Sequence, residues 1–179
     1  TYNVTVNNRN QSLVLENVTS SPSAVVMDGT ASILMTIDHA KTEAELMAQA
    51  KYATKFLHVY SAVNNLKEDA SFAILQDEML AYPHYSIRAK AIKEMDVTKV
   101  GASDILMKLA TNDEHSKVRA AALNALTNIE GTDLNLLVSK IMKTEQSYPV
   151  LGKAVSALYD SNPEKALEYT KILAKEDTD

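Results

Sequence analysis

Cysteine is absent from the 179 residues. That excludes disulfide frameworks, thiol nucleophiles and cysteine-ligated zinc. Glycine and proline are scarce, at four each, which disfavours a turn-rich all-β fold and suits a helical one. No apolar run approaches the ~20 residues that a membrane-spanning helix needs. A charged start followed by an apolar core, the mark of a signal peptide, is not seen either. Positive charge is not in excess. Eighteen Lys and Arg stand against 23 Asp and Glu, for a net charge of -5. The basic face of a general nucleic-acid binder is therefore missing.

What is present is ordinary for a folded chain: 46% hydrophobic and 23% charged residues. A chain of this length buries roughly 70% of its unfolded surface without staples. It does not open with Met and starts within strand-like sequence, so it is expected to be a piece of a longer protein.

Two periods divide the chain. Tyr2, Val4 and Val6 alternate with polar residues, the pattern of a half-buried strand. A polar turn separates them from Leu13-Val14-Leu15, which suggests a hairpin. Ala24-Val25-Val26-Met27 ahead of Asp28-Gly29, and Ile33-Leu34-Met35-Thr36-Ile37, are two more strand candidates. The expectation for residues 1–40 is the last antiparallel strands of a β-sandwich. Thr42-Glu43-Ala44-Glu45 then reads as a helix-opening capping box. Beyond it, helix formers are interrupted at Tyr82-Pro83, Gly101, Asn112-Asp113, Gly131-Thr132, Ser147-Tyr148-Pro149 and Ser161-Asn162-Pro163. The stretches between are about 11–15 residues, near the mean globular helix.

These breaks recur, and so does the sequence between them. Residues 84–95 align with residues 115–126 at an offset of 31, with His, Arg and two Ala identical. A third copy matches Val150, Ala154, Val155 and Leu158 to Val118, Ala122, Leu123 and Leu126 at an offset of 32. An earlier one matches Ala62, Val63 and Leu66 to Ala91, Ile92 and Met95 at 29. A period near 31 fits a helix, a turn and a second helix. The expected fold is mainly α: a HEAT-like α-α superhelix of stacked helix pairs over 41–179, preceded by a few strands. Val118, Ala122, Ala125, Leu126 and Ile129 form one apolar stripe, and the alanines allow close helix approach.

The charges worth following are Arg88, Arg119 and Asp113. In HEAT-like repeats an Asp in the turn meets an Arg on a neighbouring second helix, and Asp113 stands in the turn just before Arg119. The position equivalent to Asp113 one repeat earlier is Tyr82, and Val59 stands where a still earlier Arg would be. Any ladder of ion pairs is therefore expected to be partial. The same arginines could instead face a cleft and bind an anionic substrate end. The four histidines, His39, His58, His84 and His115, include no two within one helical turn, and none is followed by Glu. A helical zinc pair is thus missing. Glu43, Glu45, Glu68, Asp69, Asp77 and Glu78 read as helix first turns or solvated faces. Tyr52, Phe56, Tyr60 and Phe72 read as packing aromatics. Gly101 and Gly131 belong to loops ahead of helices, not to a phosphate-binding loop. Asn3-Val4-Thr5 and Asn17-Val18-Thr19 match the glycosylation sequon, a short pattern that arises by chance.

The stretch Ser21-Pro22-Ser23-Ala24-Val25-Val26-Met27-Asp28-Gly29, then Ile33-Leu34 and Ile37-Asp38-His39-Ala40-Lys41-Thr42-Glu43-Ala44-Glu45-Leu46, carries a resemblance. It resembles the passage from the β-sandwich to the C-terminal helical domain of zinc aminopeptidases of the aminopeptidase N family. Tyr60-Ser61-Ala62-Val63 stands at that family's Tyr-x-Ala-like step, with Val59 where many members carry Arg. The resemblance implies a non-catalytic C-terminal fragment of a metallopeptidase that removes N-terminal residues from peptides. It implies zinc and a catalytic domain upstream, against which the helical domain packs and helps enclose the peptide cleft. The family's His-Glu-x-x-His and Gly-x-Met-Glu-Asn motifs do not occur here, so no catalytic, cofactor or metal residue transfers. The alternative is a HEAT-like interaction scaffold with no enzyme attached.

Overall fold

The computed structural model describes residues 3–34, 36–159 and 161–176. Among them the chain is mainly helical, with nine helices: α1 Glu43–Tyr52, α2 Phe56–Asn65, α3 Asp69–Leu80, α4 Tyr85–Lys93, α5 Ala102–Asn112, α6 Ser116–Leu126, α7 Asn135–Thr144, α8 Tyr148–Leu158 and α9 Pro163–Glu176. Among the described residues, no helix is long and apolar enough to cross a membrane. The chain divides into two compact units, Thr1–Ser71 and Phe72–Asp179.

The strands expected before residue 41 are not formed among the described residues. Tyr2 and Met35, two members of the proposed strands, lie outside those residues, as does the tail at 177–179. Val4, Val6, Val14 and Leu34 are exposed. The backbone there turns on local side chains instead of pairing. Gln11 Oε1 accepts from the Asn7 and Asn8 amides, and Gln11 Nε2 donates to the Thr5 carbonyl. Alternation of apolar residues states which face a strand would bury. Only a partner strand turns it into a ladder.

In the first unit, the capping box at Thr42 is complete. Glu45 N donates to Thr42 Oγ1, and Thr42 N donates to Glu45 Oε2 at 2.8 Å. α1 and α2 pack together, and the polar Gln49 is buried between charged and backbone partners. Gln49 Nε2 donates to the His58 carbonyl, and its Oε1 accepts from Lys41 Nζ. Lys41 Nζ also donates to the Val25 carbonyl, and the His58 ring bonds the Asp28 carbonyl. These contacts tie residues 25–41 to the two helices. Glu43 accepts the Lys67 and Glu68 amides just ahead of α3.

The second unit is a stack of helix pairs. α4, α6 and α8 lie side by side, α5 packs on α6, and α7 on α8. The central helix α6 is covered from three sides, so Val118, Ala122, Leu123 and Leu126 are all fully buried. This explains why its buried surface is wider than the stripe read from the sequence, which omitted Leu123. Leu106, Val138, Val150, Ala154 and Leu158 complete the core. Gly101 opens α5 in the left-handed region at φ 86°, where a side chain would be strained. His84 and His115 are the N-caps of α4 and α6, each accepting through Nδ1 the amide two residues on.

Leu126→Ala is expected to cost about 2–5 kcal/mol by opening a cavity in the centre of the stack. Val100→Ala, on a fully exposed side chain, is expected to stay within about 0.5 kcal/mol. Denaturant midpoints of the two variants check the contrast.

Candidate functional site

The most ordered polar geometry lies where the turns of successive helix pairs meet. Arg88, on α4, is 7% exposed. Its Nε and Nη2 donate to the two carboxylate oxygens of Asp113, at 2.8 and 2.9 Å. Nη1 donates to the Tyr82 and Pro83 carbonyls, and Nη2 also reaches Glu114 Oε1. All five guanidinium hydrogens are thereby engaged. Arg119, on α6, repeats the arrangement one period later. Nε and Nη2 donate to Glu145 at 2.7 and 2.8 Å, and Nη1 donates to the Asp113 and Glu114 carbonyls.

Each arginine thus holds its own turn, through two carbonyls just upstream, and the next turn, through a carboxylate. Asp113 belongs to both rungs: its side chain takes Arg88 and its carbonyl takes Arg119. Its Oδ1 also accepts the His115 amide at the start of α6. The Asp113 hydrogen bond raises the Arg88 pKa above its ordinary value, and Glu145 does the same for Arg119, in both cases against burial. In return, Arg119 first, then the Ser147 and Gln146 amides, pull the Glu145 carboxyl below its ordinary value despite burial.

Beside this ladder an open polar groove runs between the starts of α6 and α8. Its walls include Glu114, His115, Ser116, Arg119, Glu145 and Ser147. Arg119, the cation on its wall, already faces Glu145, so the groove offers hydrogen bonds more than net charge. The Tyr85 ring lies between the His84 and His115 rings, with centroids 4.7 and 3.7 Å away. His84 and His115 therefore meet across Tyr85, not across a shared ion. His58 is engaged with Asp28, and His39 Nδ1 is buried without a hydrogen-bond partner among the described residues. No three His, Asp or Glu side chains gather as metal ligands among those residues. The zinc implied by the resemblance has no ligand set to name here.

The sequence singled out Arg88, Arg119 and Asp113, and the structure joins Arg88 directly to Asp113. It missed Glu145, although the signal was present. Glu145 stands to Asp113 at the same offset of 32 that relates Val150 to Val118. No family model, no curated protein and no solved structure matches this chain.

Removing Arg88 leaves a carboxylate buried without its partner. Arg88→Ala is expected to lose about 3–5 kcal/mol. Arg88→Lys recovers only part, because one ammonium cannot replace a planar five-donor fork. Chemical denaturation of both variants tests this.

Glu145 also ties stability to pH. Its folded pKa lies below the ordinary 4.5, so its contribution is complete above that pH and is lost as pH falls through the folded value. The stability gap between wild type and Glu145→Gln is therefore expected to be widest above pH 4.5 and to close in more acidic buffer. Melting curves across that range measure it.

Proposed function

We propose that the helices form a HEAT-like α-α superhelix and that the chain is the non-catalytic C-terminal cap of a zinc aminopeptidase of the aminopeptidase N family. The fold reading is supported by the Arg–carboxylate ladder, whose two rungs recur in step with the sequence repeat. The functional reading rests on one observation. Val25, Asp28 and Lys41, all within the stretch that carries the family resemblance, are where residues 25–41 are tied to α1 and α2. A segment passing from a sandwich to a helical domain needs such an anchor. Its unpaired strand pattern would find its partners in the sandwich of the intact enzyme. The helical stack would pack against the catalytic domain and help enclose the peptide, with zinc and catalysis supplied upstream. Arg88 and Arg119 serve the stack, since their guanidinium groups are committed to carboxylates and carbonyls.

A second reading, a HEAT-like interaction scaffold without an enzyme, is favoured by the open polar groove along the starts of α6 and α8. The two differ in what is encoded ahead of Thr1. Reading several hundred upstream codons is expected to reveal His-Glu-x-x-His and a downstream Glu, and the full-length product is expected to release N-terminal residues from peptides. A start codon close by, or an unrelated domain, would overturn the aminopeptidase reading and leave the scaffold.

A further inference from the structure

The sequence repeat reappears on the solvent side of the stack. Ile105 of α5, Leu136 of α7 and Leu167 of α9 follow one another at an offset of 31, and they are 42, 82 and 56% exposed. Equivalent positions of successive helix pairs line one face of a solenoid, so these three make a row of exposed aliphatic side chains. One turn C-terminal to each stands an exposed lysine: Lys108, Lys140 and Lys171. N-terminal to each stands an exposed acid: Asp104 directly before Ile105, and Asp133 and Glu164 three residues before Leu136 and Leu167. With Asp133 supplied by the turn just ahead of α7, three rows follow, acidic, aliphatic and basic, in the same order along the helix direction. The acids also suit helix N-termini, but the aliphatic and lysine rows have no such local reason to recur. α3 continues the period with Ile74 but has Asp77 in the lysine position, so the pattern is confined to α5, α7 and α9.

We infer that this face is a homodimer interface, and that its occupant is a second copy of the same chain. A two-fold axis along the aliphatic row lays each apolar residue on its own counterpart and reverses the helix direction. That reversal puts the acidic row of one copy over the basic row of the other. Such a face is isologous and complementary to itself in charge. It rests on the superhelix reading of the fold and goes beyond the aminopeptidase reading, on which it does not depend.

Sedimentation velocity on the full chain over a concentration series tests the pairing. Wild type is expected to show a monomer–dimer equilibrium that weakens with added salt. Leu136→Asp, at an already exposed position, is expected to leave monomers with an unchanged helical circular dichroism spectrum. K108E/K140E/K171E makes both charged rows acidic, and D104K/D133K/E164K makes both basic. Each is expected to raise the dimer Kd by about tenfold or more when alone. An equal mixture of the two is expected to recover the dimer. A monomeric wild type overturns the inference, even if the face captures an acidic amphipathic peptide instead. So does dimerisation insensitive to these substitutions, or a mixture that stays monomeric.

Discussion

Two guanidinium groups, Arg88 buried and Arg119 partly buried, set the geometry of the helical stack. A cation and a carboxylate taken out of water are tolerable only when their charges and hydrogen bonds are mutually satisfied. Arg88 and Asp113 meet that condition in a single bidentate arrangement, closed by the Tyr82 and Pro83 carbonyls. The turn before α6 therefore has one permitted position relative to the turn before α4. Arg119 and Glu145 repeat the constraint for α8. Because Asp113 serves both rungs, a displacement at either would be felt at the other. The ladder stops where its chemistry stops. Leu151, which takes the place of Arg119 in the next copy, is a buried aliphatic. Tyr82 offers only its carbonyl at the place of the earlier acid.

Apolar packing does the remaining work in that unit. Ala122 and Ala154 are fully buried at equivalent places in adjacent copies. Their small side chains let α6 and α8 approach, while Leu123, Leu126 and Leu158 fill the space around them. Charge fixes the register of the turns, and the core supplies most of the stability through the surface it removes from water. The groove between the starts of α6 and α8 exists because turns held by ion pairs keep polar groups at the surface.

The first unit is organised differently. Its anchor is a relay of side chains: Lys41 reaches the Val25 carbonyl and buried Gln49, Gln49 donates to the His58 carbonyl, and the His58 ring meets the Asp28 carbonyl. Burial lowers the Lys41 pKa, with Glu45 acting in the opposite direction. Lys41 and the His58 ring of α2 thus meet backbone carbonyls that a sheet would otherwise have paired. The irregular path of the described residues ahead of α1 follows from this: strand-forming composition without strand partners leaves hydrogen bonds to be found locally.

The sequence by itself determined the helical class, the break points from Tyr82 onward, the repeat period and the equivalence of Arg88 with Arg119. Those features are local or periodic, and helix caps, turn residues and apolar spacing encode them directly. The breaks that separate α1, α2 and α3 carry no Gly or Pro and were not legible. The N-cap role of His84 and His115 was not legible, because a histidine before a helix reads equally as surface. Glu145 was legible only through the period, and its bond to Arg119 depends on how the turns before α6 and α8 stack. The strand pattern ahead of α1 was legible too, but pairing is a tertiary event. Local sequence states a preference for a conformation, and only the partners that arrive from elsewhere in the fold decide whether its hydrogen bonds are met.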